Sequence, residues 1–182
     1  MKIEIATKSD MSDFFTYLTL QIADNGHGDT PLFQPASRED SIVSVATRQR
    51  FMQGVSAPLG EPGWRLLWLA KDESGRIMGH IDIRPYEDDY CGHRVLLGMG
   101  VDRHFRRQGI AQGLLNHAID YCQNADMIVW LDLNVLSQNI PAKQLYLNNG
   151  FDICGEQVDR YRIDGVSVAE LMMTLSVSKI SV

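Results

Sequence analysis

The residues best suited to chemistry in this chain lie between Val101 and Leu115, where a predicted strand leads into a predicted helix. Small residues at Gly109, Ala111 and Gly113 would let another group approach the backbone closely. A helix N-terminus also presents unpaired N–H groups and the positive end of the helix dipole. The potentially cationic side chains just before this helix are Arg103, His104, Arg106 and Arg107. Since the whole chain has a net charge of −6, this local positive charge predicts an anion site, and the expected ligand is a phosphorylated cofactor.

The glycine spacing of this segment differs from that of two familiar phosphate-binding loops. It matches neither Gly-x-x-x-x-Gly-Lys-Ser/Thr nor Gly-x-Gly-x-x-Gly, so an ATPase or a nicotinamide-dependent enzyme is unsupported. A second block of interest follows at residues 139–151, with the sequence Asn-Ile-Pro-Ala-Lys-Gln-Leu-Tyr-Leu-Asn-Asn-Gly-Phe. A helix from about Ile140 to Asn148 would carry most of it, and Asn149-Gly150 is a typical helix stop.

Together the two blocks resemble the signatures of the GCN5-related N-acetyltransferase (GNAT) family. The segment Arg106-x-x-Gly109-x-Ala111 looks like the family's acyl-CoA signature, (Arg/Gln)-x-x-Gly-x-(Gly/Ala). The block from Asn139 to Phe151 is similar to the family's Asn-x-x-Ala-x-x-Leu-Tyr-x-x-x-Gly-Phe. The end of the chain, Arg162-Ile163-Asp164-Gly165 followed by Met172 or Met173, resembles the C-terminal hairpin of branches that act on ribosomal-protein N-termini or small amines.

This resemblance implies an acetyl-CoA-dependent N-acetyltransferase that transfers the acetyl group directly to a primary amine, on a small molecule or a protein N-terminus, without a metal. The residues that it assigns to the pyrophosphate loop are Arg106, Arg107, Gln108, Gly109, Ile110 and Ala111. The backbones of Met99 and Val101 would pair with the pantetheine arm, and the flanking Gly98 and Gly100 suit a β-bulge or a close backbone approach. Asn139 would hydrogen-bond the same arm. Tyr146 would stand near the sulfur and donate a proton to the leaving thiolate.

One position departs from the family pattern. Many relatives carry a Glu where this chain has Leu96, so the usual carboxylate base is missing. By sequence, Asp82, His80 and His93 are the nearest titratable substitutes, and each also fits an ordinary structural position. Without a base, a low-pKa amine such as a protein N-terminus, near ~8, is a better acceptor than a lysine side chain near ~10.4.

Two rival functions follow from the same residues. Loss of the acid at Leu96 would favour a catalytically silent acyl-CoA-binding regulatory module, whereas the retained Tyr146 argues against it. Transfer of a different acyl group, such as succinyl, is the second alternative. The two N-terminal helices and the loops at 24–36 and 54–63 are expected to line the acceptor side. The acidic run 87–89 either attracts a cationic substrate or is a solvated loop.

Apolar periodicity indicates the elements that must position these residues. Predicted strands cover residues 2–6, 64–70, 76–84, 94–102, 127–135, 151–162 and 168–177. Predicted helices run from Ser9 or Asp10 to about Ile22, from Ser37 or Arg38 to Phe51 or Met52, from Gly109 to Gln123, and over 140–148. This order predicts an α/β protein with a mixed sheet and helices on both faces. The family resemblance adds a mostly antiparallel, twisted sheet of about seven strands, with a splay between two central parallel strands.

Composition limits the remaining choices. A chain of 182 residues with 45% apolar and 22% charged residues predicts one globular domain over residues 1–182. No apolar run reaches ~18 residues, so we expect no transmembrane helix. The alternating start Met1-Lys2-Ile3-Glu4-Ile5 predicts a strand and not a signal peptide. The acidic pI of about 5.3 disfavours nucleic-acid binding, and three cysteines without metal-like spacing favour a reducing cytosol. No feature indicates the oligomeric state.

Overall fold

The fold is taken from a computed structural model that describes residues 1–178. Its strands are β1 (Lys2–Ile5), β2 (Leu66–Lys71), β3 (Ile77–Pro85), β4 (Arg94–Val101), β5 (Trp130–Leu136), β6 (Asp152–Ile163) and β7 (Val166–Ser176). Its α-helices are α1 (Met11–Ala23), α2 (Val45–Ser56), α3 (Ile110–Gln123) and α4 (Ile140–Asn148). Over this part of the chain, no helix is long and apolar enough to cross a membrane.

All the strands join one mixed sheet in the order β1-β2-β3-β4-β5-β7-β6. Every neighbouring pair is antiparallel except the central β4–β5 pair, which is parallel. That parallel pairing extends only from Arg94↔Trp130 to Leu96↔Asp132, although β4 continues to Val101. The two strands therefore separate beyond Leu96, which confirms the predicted fold class and its central splay.

Alternation along the strands divides the sheet into two faces. Leu67 and Leu69 of β2 pack against α1 and α2 on what we call the front face. Trp68 and Ala70 pack against α3 on the back face. The buried residues of α3 are Ile110, Leu114, Leu115, Ala118 and Cys122, a helical stripe that fits the predicted pattern.

A buried ion pair joins the strands at the base of the splay. The Asp132 carboxylate on β5 accepts hydrogen bonds from Arg94 Nε at 2.8 Å and from Arg94 Nη2 at 2.7 Å. Thr174 of β7 donates to the same carboxylate at 2.6 Å, and the Tyr86 hydroxyl donates at 3.0 Å. Because a buried carboxylate is costly without such partners, this network stabilises the point at which β4 and β5 diverge.

The second helix begins later than the sequence predicts. We expected it to start at Ser37 or Arg38, but α2 starts at Val45. Ile42 and Val45 are 73% and 72% exposed. Ser44 caps the helix by accepting a hydrogen bond from Thr47 N at 3.1 Å. The residues before Ser44 instead belong to the segment between α1 and α2, residues 24–44, which we call the front loop.

Candidate active site

A cavity of about 680 Å³ occupies the gap between the separated ends of β4 and β5. Residues from both faces of the sheet line it, together with the start of α3, the start of α4 and residues 29–35 of the front loop. The lining residues that the sequence singled out are Met99, Val101, Arg106, Arg107, Gly109, Ile110, Ala111, Asn139 and Tyr146. Gln108 does not line the cavity, because its side chain is exposed and donates to the His104 carbonyl at 3.2 Å.

The loop before α3 is shaped by two left-handed residues. Arg107 has φ 60° and Gly109 has φ 79°. Both angles lie in the left-handed region, which costs a non-glycine residue about 1–2 kcal/mol. Gly109 is the N-cap of α3 and provides no side-chain cap. The first-turn N–H groups of α3 are therefore available to an anion at this end of the cavity.

The four predicted cations have different roles. Arg103 pairs with Asp24 at 3.1 Å, and the exposed His104 contacts Arg103. Arg106 donates from Nε to the Val101 carbonyl at 3.3 Å and from Nη1 to Thr30 Oγ1 at 3.0 Å. Arg107 is exposed, lines the cavity and has no side-chain partner within residues 1–178. Arg107 is thus the cation best placed to meet a phosphate, whereas Arg106 holds the front loop against β4.

Of the two expectations for Gly98 and Gly100, a β-bulge or a close backbone approach, the β-bulge is not found between β3 and β4. Pairing between β3 and β4 is continuous from Gly79↔Val101 to Pro85↔Val95. These glycines make room for side chains of β3 instead: a Cβ at Gly98 would lie 2.8 Å from Asp82 Oδ1, and one at Gly100 would lie 2.8 Å from His80 Cε1. Beyond Leu96 the β5-facing edge of β4 has no strand partner among residues 1–178, so an extended ligand could pair with its backbone.

Tyr146 and Asn139 lie on α4, at the opposite wall of the cavity. Tyr146 is 6% exposed and packs on Phe151, with ring centroids 5.6 Å apart. Its hydroxyl has no hydrogen-bond partner within residues 1–178. Every fully buried side-chain N or O atom in this part of the chain has a partner, so the hydroxyl of Tyr146 is not fully buried and opens to the cavity. Burial raises the pKa of Tyr146 well above its usual value, which keeps the phenol protonated. Asn139 Oδ1 caps α4 through Ala142 N at 3.4 Å, which leaves its Nδ2 as a donor.

None of the three base candidates from the sequence lines the cavity. His93 is exposed and precedes β4, where its carbonyl accepts from Val129 N at 2.8 Å. His80 is buried, and its Nδ1 lies 3.0 Å from the Tyr17 hydroxyl, which donates to the Gly100 carbonyl at 2.9 Å. Burial lowers the pKa of His80 to about 4, so the imidazole is neutral. Asp82 is 2% exposed and bonded to two arginines.

The fold brings to the cavity several residues that the sequence did not single out. These are Gln21 of α1, Phe33 and Gln34 of the front loop, Arg84 of β3, Asn134 of β5 and Glu170 of β7. Glu170 accepts from the Tyr161 hydroxyl at 3.0 Å and lies 3.8 Å from Arg160. The one available signal was period-two alternation, which places Arg84 on the same face as Asp82.

The front loop is organised by Asn25, which is completely buried. Its Oδ1 accepts from Phe33 N at 2.7 Å and Gln34 N at 3.0 Å, while its Nδ2 donates to Ser41 Oγ at 3.0 Å and to the Gln34 and Ala36 carbonyls. The loop at 24–36 therefore lines the front of the cavity, as expected. The loop at 54–63 does not reach this cavity; its Leu59 lies beside α3. The acidic run 87–89 is exposed and does not line the cavity either.

Comparison with known proteins places this geometry in a family. Residues 30–151 match the model of the Acetyltransferase (GNAT) family. The L-amino acid N-acetyltransferase AaaT of Escherichia coli (strain K12) is 30% identical over 94 residues, which cover 52% of this chain and 57% of that protein. The match thus spans little more than half of the relative's length.

Solved structures share the fold at lower identity. A ribosomal-protein-alanine N-acetyltransferase from Brucella melitensis has a TM-score of 0.76 at 19% identity, covering 97% of this chain and 99% of that one. A GNAT superfamily phosphinothricin acetyltransferase from Sinorhizobium meliloti, solved with acetyl-CoA, has a TM-score of 0.73 at 14% identity, covering 98% and 89%.

Because the family model covers about two thirds of the chain, the protein belongs to the GNAT acetyltransferase family. The predicted family is confirmed, and the match to an acetyltransferase family model agrees with the predicted enzyme class, an acetyl-CoA-dependent N-acetyltransferase. The predicted co-substrate agrees with the acetyl-CoA that the phosphinothricin acetyltransferase structure contains.

Proposed function

We propose that this protein transfers the acetyl group of acetyl-CoA directly to the primary amine of a small molecule or a protein N-terminus. The observation that carries the proposal is the cavity itself, which is lined by the N-terminus of α3, by α4 and by the front loop. The Tyr146 hydroxyl opens to that cavity. When bound, acetyl-CoA would supply an activated acetyl group as a thioester.

The binding roles follow from the donors that the cavity presents. The N–H groups at the start of α3 and the guanidinium of Arg107 would hold the pyrophosphate, since both offer charge-assisted hydrogen bonds to an anion. The unpaired edge of β4, including Met99 and Val101, would pair with the extended pantetheine arm. Asn139 Nδ2 would donate to a carbonyl of the same arm.

In the transfer, a neutral amine attacks the acetyl carbonyl carbon, a new C–N bond forms and the C–S bond breaks. Tyr146 would donate its phenolic proton to the departing sulfur, and the proton lost by the amine would return to the phenol through water. The raised pKa keeps the phenol of Tyr146 protonated, so that it can hydrogen-bond or protonate the departing sulfur. No covalent acyl-enzyme is needed.

We further propose that no dedicated carboxylate base is required. Glu170 lines the cavity, and it pairs with Leu136 of β5. Leu136 lies four residues beyond Asp132, at which the β4–β5 pairing ends, so Glu170 is roughly 13 Å along the strand from the base of the splay. The neutral fraction of the amine would therefore set the rate, so kcat/KM rises with pH toward the pKa of the free acceptor. The pH profile of kcat/KM would show no additional titration of an enzyme group at lower pH. An activity profile over pH 6–9.5 checks this. A ~100-fold loss in Glu170→Gln, His93→Ala or His80→Asn, with CoA affinity intact, would contradict it.

The acceptor proposal is supported by the Escherichia coli relative, whose name describes acetylation of L-amino acids. Cytoplasmic location is also a proposal, supported by free thiols at Cys91, Cys122 and Cys154, which suit a reducing compartment.

The direct test is turnover of acetyl-CoA with a panel of amino acids, small amines and N-terminal peptides, scored by CoA release and by mass of the product. We expect acetylation of at least one amine class. CoA binding without turnover of any amine would favour a catalytically silent acyl-CoA-binding module. Turnover with succinyl-CoA alone would favour a transferase for a different acyl group.

A further inference from the structure

On the front face, one buried carboxylate is shared by two arginines. Asp82 Oδ2 lies 2.5 Å from Arg65 Nη1 and 3.2 Å from Arg84 Nη1. The side chains of Asp82 and Arg65 are 3% and 11% exposed, whereas that of Arg84 is 34% exposed. One negative charge thus faces two positive charges, and the uncompensated positive charge lies on the side of Arg84.

Arg84 directs this charge toward the cavity, which it lines. Within residues 1–178, Arg84 Nε and Nη2 have no hydrogen-bond partner, so a guanidinium edge with two donors is available. The missing side chain of Gly98 makes this possible, because a Cβ there would lie 3.3 Å from Arg84 Nη1. Arg84 pairs with Leu96, so the guanidinium stands beside the base of the splay.

The position of Arg84 separates it from the proposed phosphate site. Leu96 and Val101 are five residues apart on β4, which is roughly 16 Å of strand. The pantetheine arm that would span this distance consists of neutral amides. Glu170, another charged residue of the cavity, is held by Tyr161 and Arg160. The free edge of Arg84 is therefore left for a negative group on the acceptor.

We infer that Arg84 is a specificity-determining residue that binds a carboxylate adjacent to the acceptor amine. This inference rests on the proposed function and narrows it: free amino acids would be acceptors, and peptide N-termini, whose neighbouring carbonyl is an amide, would be excluded. A guanidinium matches a carboxylate with two parallel hydrogen bonds. Asp82, which Arg65 also bonds, accepts a hydrogen bond from Arg84 Nη1, so little side-chain entropy is lost on binding.

The test compares each common L-amino acid with its primary amide, as acceptors at saturating acetyl-CoA and pH 8. For the wild type we expect kcat/KM about 30-fold higher for the best acid than for its amide, since one charged bidentate contact is lost. The amide's α-amine has the lower pKa and the larger neutral fraction, so chemistry alone would favour the amide. This comparison needs no variant and therefore does not depend on how a variant folds.

Variants then assign the preference to Arg84. Arg84→Gln should lower kcat/KM for the acid about 30-fold, mainly by raising KM. The kcat/KM for the amide and the affinity for acetyl-CoA should be unchanged. Arg84→Lys should recover part of the loss. The matched control is Arg162→Gln, which removes an exposed arginine of β6 that pairs with Asp159.

Three results would overturn the inference: equal wild-type use of acid and amide, efficient use of a peptide N-terminus, or equal losses for acid and amide in Arg84→Gln. Failure to acetylate any acid, amide, peptide or other small amine would instead overturn the proposed function itself.

Discussion

Single glycines on β4 decide what the neighbouring strand can carry. Gly98 makes room for Asp82 and Arg84, and Gly100 makes room for His80, whose ring meets Phe14 edge-on at 5.3 Å. A Cβ at Gly98 would lie 2.8 Å from Asp82 Oδ1, and a Cβ at Gly100 would lie 2.8 Å from His80 Cε1. The polar groups beneath the acceptor side of the cavity therefore depend on residues that have no side chain of their own.

At the residue scale, we predict that Arg107 contributes to cofactor binding and not to folding. Arg107→Ala should weaken acetyl-CoA binding about 10-fold, because one charge-assisted contact is lost, and leave the free energy of unfolding within about 0.5 kcal/mol. Calorimetric titration with acetyl-CoA measures the first quantity, and urea denaturation the second.

Arg103→Ala is the matched control, since Arg103 pairs with Asp24 and does not line the cavity. The double variant Arg106→Ala plus Arg107→Ala should lose more affinity, because Arg106 also holds Thr30. Unchanged affinity in both the single and the double variant would refute the assigned phosphate site.

At the element scale, the front loop is ordered by one side chain instead of by a helix. Asn25 contacts backbone groups at Phe33, Gln34 and Ala36 and the hydroxyl of Ser41, so it defines the path of a segment without regular structure. Leu32 then anchors the loop among Leu136, Ile163 and Val168.

We predict that Asn25→Ala destabilises the protein by about 2–3 kcal/mol, because it leaves buried backbone groups unpaired. The KM of the acceptor should rise more than the Kd of acetyl-CoA, since the loop lines the front of the cavity. Ser41→Ala removes only one of these contacts and should have a smaller effect. Equal weakening of acceptor and cofactor binding would show that the loop serves the whole cavity.

The motif-bearing elements were predictable from local sequence, and the acceptor side was not. The start of α3 and the position of Tyr146 follow from neighbouring residues, so their predicted positions agree with the structure. The front loop depends on distant contacts, such as those of Asn25 with Ser41 and of Arg38 with Asp164, which local sequence patterns do not encode. Arg84 of β3 and Glu170 of β7 line the same cavity only because of the strand order and register of the sheet, which short-range patterns do not encode.

At the scale of the whole molecule, burial of His80 links stability to pH. Its pKa falls from 6.5 to about 4 on folding, so between these values the unfolded chain binds a proton that the folded chain does not. Stability therefore falls as pH is lowered from about 6.5 to about 4, by roughly 3 kcal/mol, and this contribution stays constant at lower pH.

Urea denaturation at a series of pH values checks this linkage. His80→Asn keeps a polar partner for Tyr17 and should flatten the dependence between pH 6.5 and 4, while the exposed control His93→Asn should not. A wild-type slope that persists in His80→Asn would assign the effect to other groups.

The most direct test of the account is the effect of Tyr146→Phe on acetyl transfer. The substitution removes one hydroxyl and keeps the ring on Phe151, so folding and acetyl-CoA affinity should be retained. General acid catalysis typically contributes ~10²–10⁴ in rate, so kcat, measured where the chemical step limits turnover, should fall at least ~100-fold. A wild-type kcat in Tyr146→Phe under those conditions would contradict the account and leave Tyr146 as a packing residue.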